Sequence, residues 1–282
     1  MKTPRARIDS ASRSTNDPWT ACSVILTHGV IWMFAFSPNG SHLAFVTVDS
    51  CNPLIIMDLV AQETSVLGDS DGVAVCVVFS SDGKYVAVST TKGIYVWEWG
   101  MDGTERIELD LDRITSSFRE EWTPWSIAFS SDGRLLISHF PDKTVRVWTV
   151  GTWTTSNAFS SRELGEGVQI ASSPDSRYVI LSSFDNFGIW DISAQPPAFV
   201  HSGEQSLHGS NRAMFSPDGG YVASAVRDSV HLWKGSTWSK YSTFKLSSRV
   251  KDLAFSPGDK HIASYSFGEK ITIWDITSRA TS

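Results

Sequence analysis

Phe215-Ser216-Pro217-Asp218-Gly219 is one of six copies of a short phrase spread along the chain. The others are Phe36-Ser37-Pro38-Asn39-Gly40, Phe79-Ser80-Ser81-Asp82-Gly83, Phe129-Ser130-Ser131-Asp132-Gly133, Ser172-Ser173-Pro174-Asp175-Ser176 and Phe255-Ser256-Pro257-Gly258-Asp259. Ser-Pro-Asp-Gly between two apolar runs is a turn with a physical cause. Pro presets the first central residue, Asp bonds to its own backbone, and Gly takes the positive φ. The flanks are therefore expected to be paired antiparallel strands. The first residues of the phrases lie 43, 50, 43, 43 and 40 positions apart. A period in the forties signals an array of repeated units rather than an irregular domain.

A second marker follows each phrase by 18–21 residues: Met57-Asp58, Trp97-Glu98, Trp148-Thr149, Trp190-Asp191, Trp233-Lys234 and Trp274-Asp275. One and three residues before it sit apolar side chains, such as Val147 and Val145, or Ile189 and Phe187. That alternation is a strand with a buried face. Seven residues after each phrase begins come Leu43, Val86, Leu136, Val179, Val222 and Ile262, all apolar.

These markers resemble the WD40 family. Trp190-Asp191-Ile192 and Trp274-Asp275-Ile276 end two repeats, and Asp142-Lys143-Thr144-Val145-Arg146-Val147-Trp148 is close to the family's ideal. The resemblance covers residues 19–276. It implies an all-β fold, a six-bladed WD40-like β-propeller of four-stranded antiparallel blades. The best family repeats also carry a Gly-His pair and an Asp six residues before the Trp. With a Ser or Thr and the Trp, these make a buried hydrogen-bonded tetrad. Here the nearest pairs are the reversed His28-Gly29 and His208-Gly209, and Asp142 alone has the spacing. No complete tetrad is expected, and the Trp residues are expected to be held by apolar packing.

The resemblance also predicts how the array ends. The last repeat stops after its third strand. The segment 19–28, with apolar Val24-Ile25-Leu26, sits where the family places an outer strand. It is expected to pair with the 270–276 strand and close the last blade, removing an exposed edge. Residues 1–18 are polar and without periodicity, and are read as a disordered tail. Residues 19–282 are read as a single domain.

Composition narrows the function classes. The 282 residues are 41% hydrophobic and 19% charged, with a net charge of −6. Segment 98–122 holds eight carboxylates against three arginines, five of the six excess negative charges. Without a basic stripe, nucleic acid is not an expected partner. Cys22, Cys51 and Cys76 show no pairing or ligand spacing, which suits a reducing compartment. No secretory h-region and no apolar run of about 18 residues is present, so a membrane is not expected either. The expected location is cytoplasmic, with the nucleus as the alternative, and the expected state is a monomer.

Between Trp97 and Phe129 the interval lengthens to 32 residues, against 22 to 25 elsewhere. In 106–112, Glu108, Asp110 and Asp112 alternate with Ile107, Leu109 and Leu111. This reads as an outer edge strand that uses charge to block edge pairing. An acidic docking patch or hard-cation site is the rival reading, although one strand face cannot wrap a calcium ion.

No phosphate loop, nucleophile elbow or close His pair occurs. No catalytic residue, cofactor or metal is expected, and the chain is read as a non-enzymatic scaffold for a protein or peptide partner. In the family, the first strand's start and the loop between strands two and three line one rim. Here those places carry Trp32, Trp125 and Lys251, and Phe140, Phe184, Arg227 and Phe267. Trp, Phe and Arg suit a binding hot spot. The first repeat also resembles TolB-like propeller repeats, so a propeller enzyme or the gating propeller of a hydrolase system is the alternative. A detached sensor module of a fungal-type signalling ATPase ranks third.

Overall fold

In the computed structural model the described residues are 7–9, 24–26, 30–48, 53–69, 71–99, 106–109, 126–161, 164–165, 168–184, 186–203, 212–266 and 271–277. They are all-β. A two-stranded ribbon, β1 (Arg7–Asp9) with β2 (Val24–Leu26), comes first. Sheet I follows with β3 (Val30–Phe36), β4 (His42–Val48), β5 (Pro53–Asp58) and β6 (Thr64–Asp69). Sheet II has β7 (Ala74–Phe79), β8 (Tyr85–Thr90), β9 (Ile94–Glu98) and β10 (Arg106–Glu108). Sheet III has β11 (Ser126–Phe129), β12 (Leu135–His139), β13 (Thr144–Thr149) and β14 (Thr154–Ser160). Sheet IV has β15 (Gln169–Ser172), β16 (Tyr178–Ser182), β17 (Phe187–Asp191) and β18 (Ala198–Ser202). Sheet V has β19 (Ala213–Phe215), β20 (Tyr221–Val226), β21 (Ser229–Lys234) and β22 (Lys240–Lys245). Sheet VI has β23 (Val250–Phe255), β24 (His261–Ser266) and β25 (Thr272–Asp275). Each sheet is an antiparallel meander in chain order, so six phrases give six sheets.

Each phrase is the turn between the first two strands, and its serine is the clamp. Ser80 Oγ donates to Asp82 Oδ1 at 2.5 Å and accepts from Tyr85 N at 2.9 Å. The same pair of bonds recurs at Ser37, Ser130, Ser173 and Ser216. The carboxylate then accepts from the amide two residues on, as Asp82 does from Lys84 at 3.0 Å. Gly40, Gly83, Gly133 and Gly219 have φ between 68° and 73°, and Ser176 and Asp259 adopt the same region at 60° and 54°. These turn bonds satisfy the buried hydroxyls of Ser37, Ser80, Ser130, Ser173 and Ser216, as burial requires.

The residues fall into two compact units, 1–123 and 124–282. In the first, Ala44, Val46, Leu54 and Ile56 of sheet I pack with Val86, Val88, Tyr95 and Trp97 of sheet II. In the second, the alternation of each strand decides its neighbour. Val179, Leu181 and Trp190 of sheet IV join Ile137, Val145 and Val147 of sheet III. Their sequence neighbours Ile180 and Ile189 turn to Val222 and Trp233 of sheet V. Ala223, Ala225, Val230 and Leu232 of sheet V then meet Leu253 and Ile262 of sheet VI. A central strand buried on both faces reads as a nearly continuous apolar run, as Val179-Ile180-Leu181 of β16 does.

The chain ends add detail to the expectation. Among the described residues the 24–26 strand is paired with Arg7–Asp9. Among the described residues β25 has only β24 beside it, and Ile273 on it is 68% exposed. A partner close in the chain is favoured because closing a short loop costs less entropy than closing a long one. Arg7–Asp9, inside the stretch read as a structureless tail, thus forms β1.

The tryptophans are also not held by apolar contacts alone. Trp148, Trp233 and Trp274 donate Nε1–H to Ser138, Ser224 and Ser264 at 2.9, 3.0 and 2.9 Å. The serine–tryptophan half of the family's tetrad is therefore built in three sheets. Asp142, the residue with the tetrad spacing, instead caps its own turn through Thr144 N and Oγ1.

Only the first part of the acidic segment is described. β10 covers Arg106–Glu108, with Leu109 buried and bonded to Ile94 O at 3.0 Å. Asp110, Leu111 and Asp112 lie outside the described residues.

Candidate functional site

Every sheet has two ends. The turn phrase and the hairpin between strands three and four lie at one, the turn end. The loop between strands two and three and the start of strand one lie at the other, the loop end. The candidate rim belongs to the loop end.

Its residues divide by one position in the loop. Counting from the first residue of each phrase, position eleven closes the loop and position twelve projects beyond it. Ser183 is at the closing position. Its N–H reaches Asn186 O at 2.8 Å and its hydroxyl meets Asn186 Oδ1 at 2.9 Å, and both residues are buried. Phe184, the next residue, is 55% exposed. Thr90 repeats the closing role in sheet II, with N–H to Gly93 O at 2.8 Å, and Thr91 beyond it is exposed.

Phe140 is a closing residue. Its N–H bonds Thr144 O at 2.9 Å, it is fully buried, and the Arg146 guanidinium lies 4.2 Å over its ring. Phe140 therefore does not face a partner. The twelfth position of sheet III is Pro141.

Arg227 is a projecting residue. It is exposed, with φ of 54°, in the two-residue link between Val226 and Ser229. Its carbonyl accepts Val250 N–H at 2.7 Å, which brings the loop of sheet V beside half-buried Lys251 on β23. A positive φ at a residue other than glycine costs on the order of 1 kcal/mol. Just inside, Arg212 and Asp252 form an ion pair. Exposed pairs of this kind add little stability.

The structure thus joins Arg227 to Lys251 and presents Phe184 on a separate, well-tied loop. Trp32 lies within β3. Trp125 and Phe267 lie outside the described residues.

Among the described residues, no three His, Cys, Asp or Glu side chains come together as a metal would need. No helix among them is long and apolar enough to cross a membrane.

A further recurrent signal lies in the hairpin that follows the marker strand. Thr152-Trp153 and Thr237-Trp238 each follow a marker Trp by the same interval. In both, the indole-bearing residue has positive φ, 53° and 55°, and its N–H returns to the strand at 2.8 Å. The hairpin between strands three and four is therefore stereotyped, and it places Trp238 at the turn end of sheet V.

Antiparallel four-stranded sheets with a serine-clamped turn and a Trp-bearing third strand define a WD40-type β-propeller fold. The family model "WD domain, G-beta repeat" matches residues 62–98, 115–149 and 238–275. Each match ends at the Trp marker of sheet II, III or VI. The chain carries WD40-type repeats at these three positions. It is 27% identical over 211 residues to Periodic tryptophan protein 2 of Arabidopsis thaliana, covering 71% of this chain and 22% of that protein. It is 25% identical over 179 residues to Protein hir1 of Aspergillus terreus, covering 59% of this chain and 17% of that protein. The chain spans less than a quarter of the length of these relatives.

Proposed function

We propose that this chain is a non-enzymatic interaction scaffold that binds a protein or peptide partner at the loop end of its sheets. The observation that carries this reading is the pairing of tied loop ends with projecting hot-spot residues. Phe184 stands exposed on a loop locked by Ser183 and Asn186, and Arg227 stands exposed on a loop bonded to Val250. A large apolar ring on a rigid loop loses little freedom when a partner covers it. Arg227 and Lys251 would favour a partner that carries carboxylates. Trp32, Trp125 and Phe267 remain part of the proposed rim on their position in the repeat.

WD-repeat relatives named for periodic tryptophans and for hir1 support a scaffold class without fixing a partner. We also propose a reducing compartment, cytoplasm or nucleus, in keeping with three scattered cysteines, of which Cys76 is outside any disulfide.

The test is affinity purification from the native cell with wild type and the Phe184→Ala/Arg227→Ala double variant. Each hot-spot truncation costs about 2 kcal/mol of binding, so the pair should lose captured partners roughly a hundredfold or more. Surface truncations shift stability by only about 0.5 kcal/mol, so the melting temperature should hardly move. Unchanged capture by the double variant would show that the loop end is the wrong surface.

A further inference from the structure

A cavity of about 460 Å³ opens in the second unit at the turn end of sheets IV and V. That volume lies within the range of ligand pockets, about 300–1,000 Å³. The strands separate it from the loop end, so it is independent of the proposed rim. Sheet IV contributes Asp175, Arg177 and Tyr178, sheet V contributes Phe215 and Asp218, and the β21–β22 hairpin contributes Trp238.

The hairpin is fixed against the turn. Gly235 N–H bonds Gly220 O at 2.8 Å, and a Cβ at Gly235 would stand 2.2 Å from Gly219 O. Only glycine allows this approach, and it sets Trp238 against Tyr178. Their ring centroids are 5.0 Å apart at 80°, so two aromatic walls meet near a right angle.

The charges around these walls are unequal. Arg177 is the one cation lining the cavity, and it is committed to Asp191, through Nε at 3.0 Å and Nη2 at 2.9 Å to Oδ2. Asp175 and Asp218 spend Oδ1 on their own turns, accepting from Ser173 and Arg177 N, and from Ser216 and Gly220 N. The Ser216 hydroxyl and the Gly220 amide hold the Asp218 carboxyl below its usual 3.8, so it is ionised at neutral pH. The two carboxylates that line the cavity thus face one guanidinium, which is already committed to Asp191. That guanidinium already lies 5.0 Å from the centre of the Tyr178 ring, the contact a cation makes with an aromatic face.

We propose that this cavity receives a basic side chain, arginine or lysine, from an extended protein segment that docks on the turn end of sheets IV and V. The uncompensated carboxylates select positive charge, and the Tyr178–Trp238 corner with Phe215 selects a flat or alkyl-rich cation over a hydrated metal ion.

The test titrates the full chain with three capped tripeptides, glycine-X-glycine with X as arginine, its neutral isostere citrulline, or aspartate. The arginine peptide should bind, and the citrulline peptide should bind about tenfold more weakly, as expected on losing a charge-assisted contact. The Asp175→Asn/Asp218→Asn variant should lose about tenfold for the arginine peptide alone. This variant is safe for the fold, because Asn39 already makes the same turn in sheet I. There Asn39 Oδ1 accepts from Ser37 Oγ at 2.7 Å and from Ser41 N at 3.1 Å. An unchanged melting temperature checks this, and Trp238→Leu provides a second variant that should weaken arginine binding without touching charge. Equal binding of arginine and citrulline, preference for aspartate, full affinity in the double Asn variant, or no arginine binding at about 10 mM would each overturn the proposal.

Discussion

Sheets II and III share one topology but hold their marker tryptophans in different ways. Trp97 in sheet II and Trp148 in sheet III are both essentially fully buried. Trp148 Nε1 donates to Ser138 at 2.9 Å, whereas Trp97 Nε1 has no hydrogen-bond partner among the described residues. The cause is one side chain. Leu136 pairs with Trp148 and Val86 with Trp97, and two residues further along the second strand come Ser138 and Val88 respectively. Sheet II surrounds its indole with Val86, Val88 and Tyr95. Sheet III buries Ser138, His139 and Arg146 as well. Apolar packing therefore suffices to place the marker. The serine adds a bond, and the polar core that accompanies it adds sensitivity to pH.

That sensitivity gives the largest expected effect. His139 is fully buried, with Nε2 2.9 Å from Ser161 Oγ. Burial, helped by Lys143 and opposed by Asp142, pushes its pKa down from 6.5 to about 4. Above pH 6.5 the imidazole is neutral in both folded and unfolded chains, and its contribution is fully present. As the pH falls from 6.5 towards 4, the unfolded chain gains a proton that the folded chain refuses, and stability is lost. The integrated loss is about 3 kcal/mol. Urea unfolding at pH 7.5 and 4.5 should show it as a fall in midpoint that His139→Gln reduces. Parallel pH curves for wild type and variant would mean that sheet III tolerates the imidazolium.

A smaller effect isolates the tryptophan bond itself. Ser138→Ala leaves the Trp148 indole N–H buried and unpaired, which costs about 1–3 kcal/mol. Ser264→Ala should cost less, because Trp274 is only half-buried and water can replace the hydroxyl. Thermal unfolding of the two variants checks the order. If Ser138→Ala matches wild type, the bond in sheet III contributes nothing beyond what packing gives sheet II.

The same contrast explains what the sequence made legible. The turn phrase and the alternation around the Trp marker predicted six sheets with the right strand order. Both are local signals, because a turn and a half-buried strand each write their cause within a few residues. The serine partner was also visible, nine residues after each phrase begins, at Ser138, Ser224 and Ser264. The family's Gly-His and Asp signals, absent or displaced here, do not point to it. Phe140 and Phe184 show a harder limit. Both are loop phenylalanines, yet a shift of one position makes the first a buried closing residue and the second a projecting one. Cross-strand pairing decides that, and pairing depends on register, which composition does not carry. The partner of the 24–26 strand was illegible for a similar reason. An apolar strand of three residues specifies that it must pair, not with what.

The smallest effect is the sharpest test of the contrast. Val88 stands in sheet II where Ser138 stands in sheet III, and both are fully buried. Val88→Thr keeps the branched shape and replaces one methyl with a hydroxyl. Losing that methyl costs about 0.8 kcal/mol of apolar burial. If the new hydroxyl meets Trp97 Nε1, the bond returns about 1 kcal/mol and satisfies two buried groups at once. The variant should therefore stay within about 1 kcal/mol of wild type. The Trp97 indole N–H should also become more protected from hydrogen exchange, which stability alone would not report. A hydroxyl that finds no partner would add its own desolvation, on the order of 1–3 kcal/mol, to the lost methyl. A fall of about 3 kcal/mol with unchanged indole exchange would show that the two sheets differ in backbone spacing at this position, and not in the side chain alone.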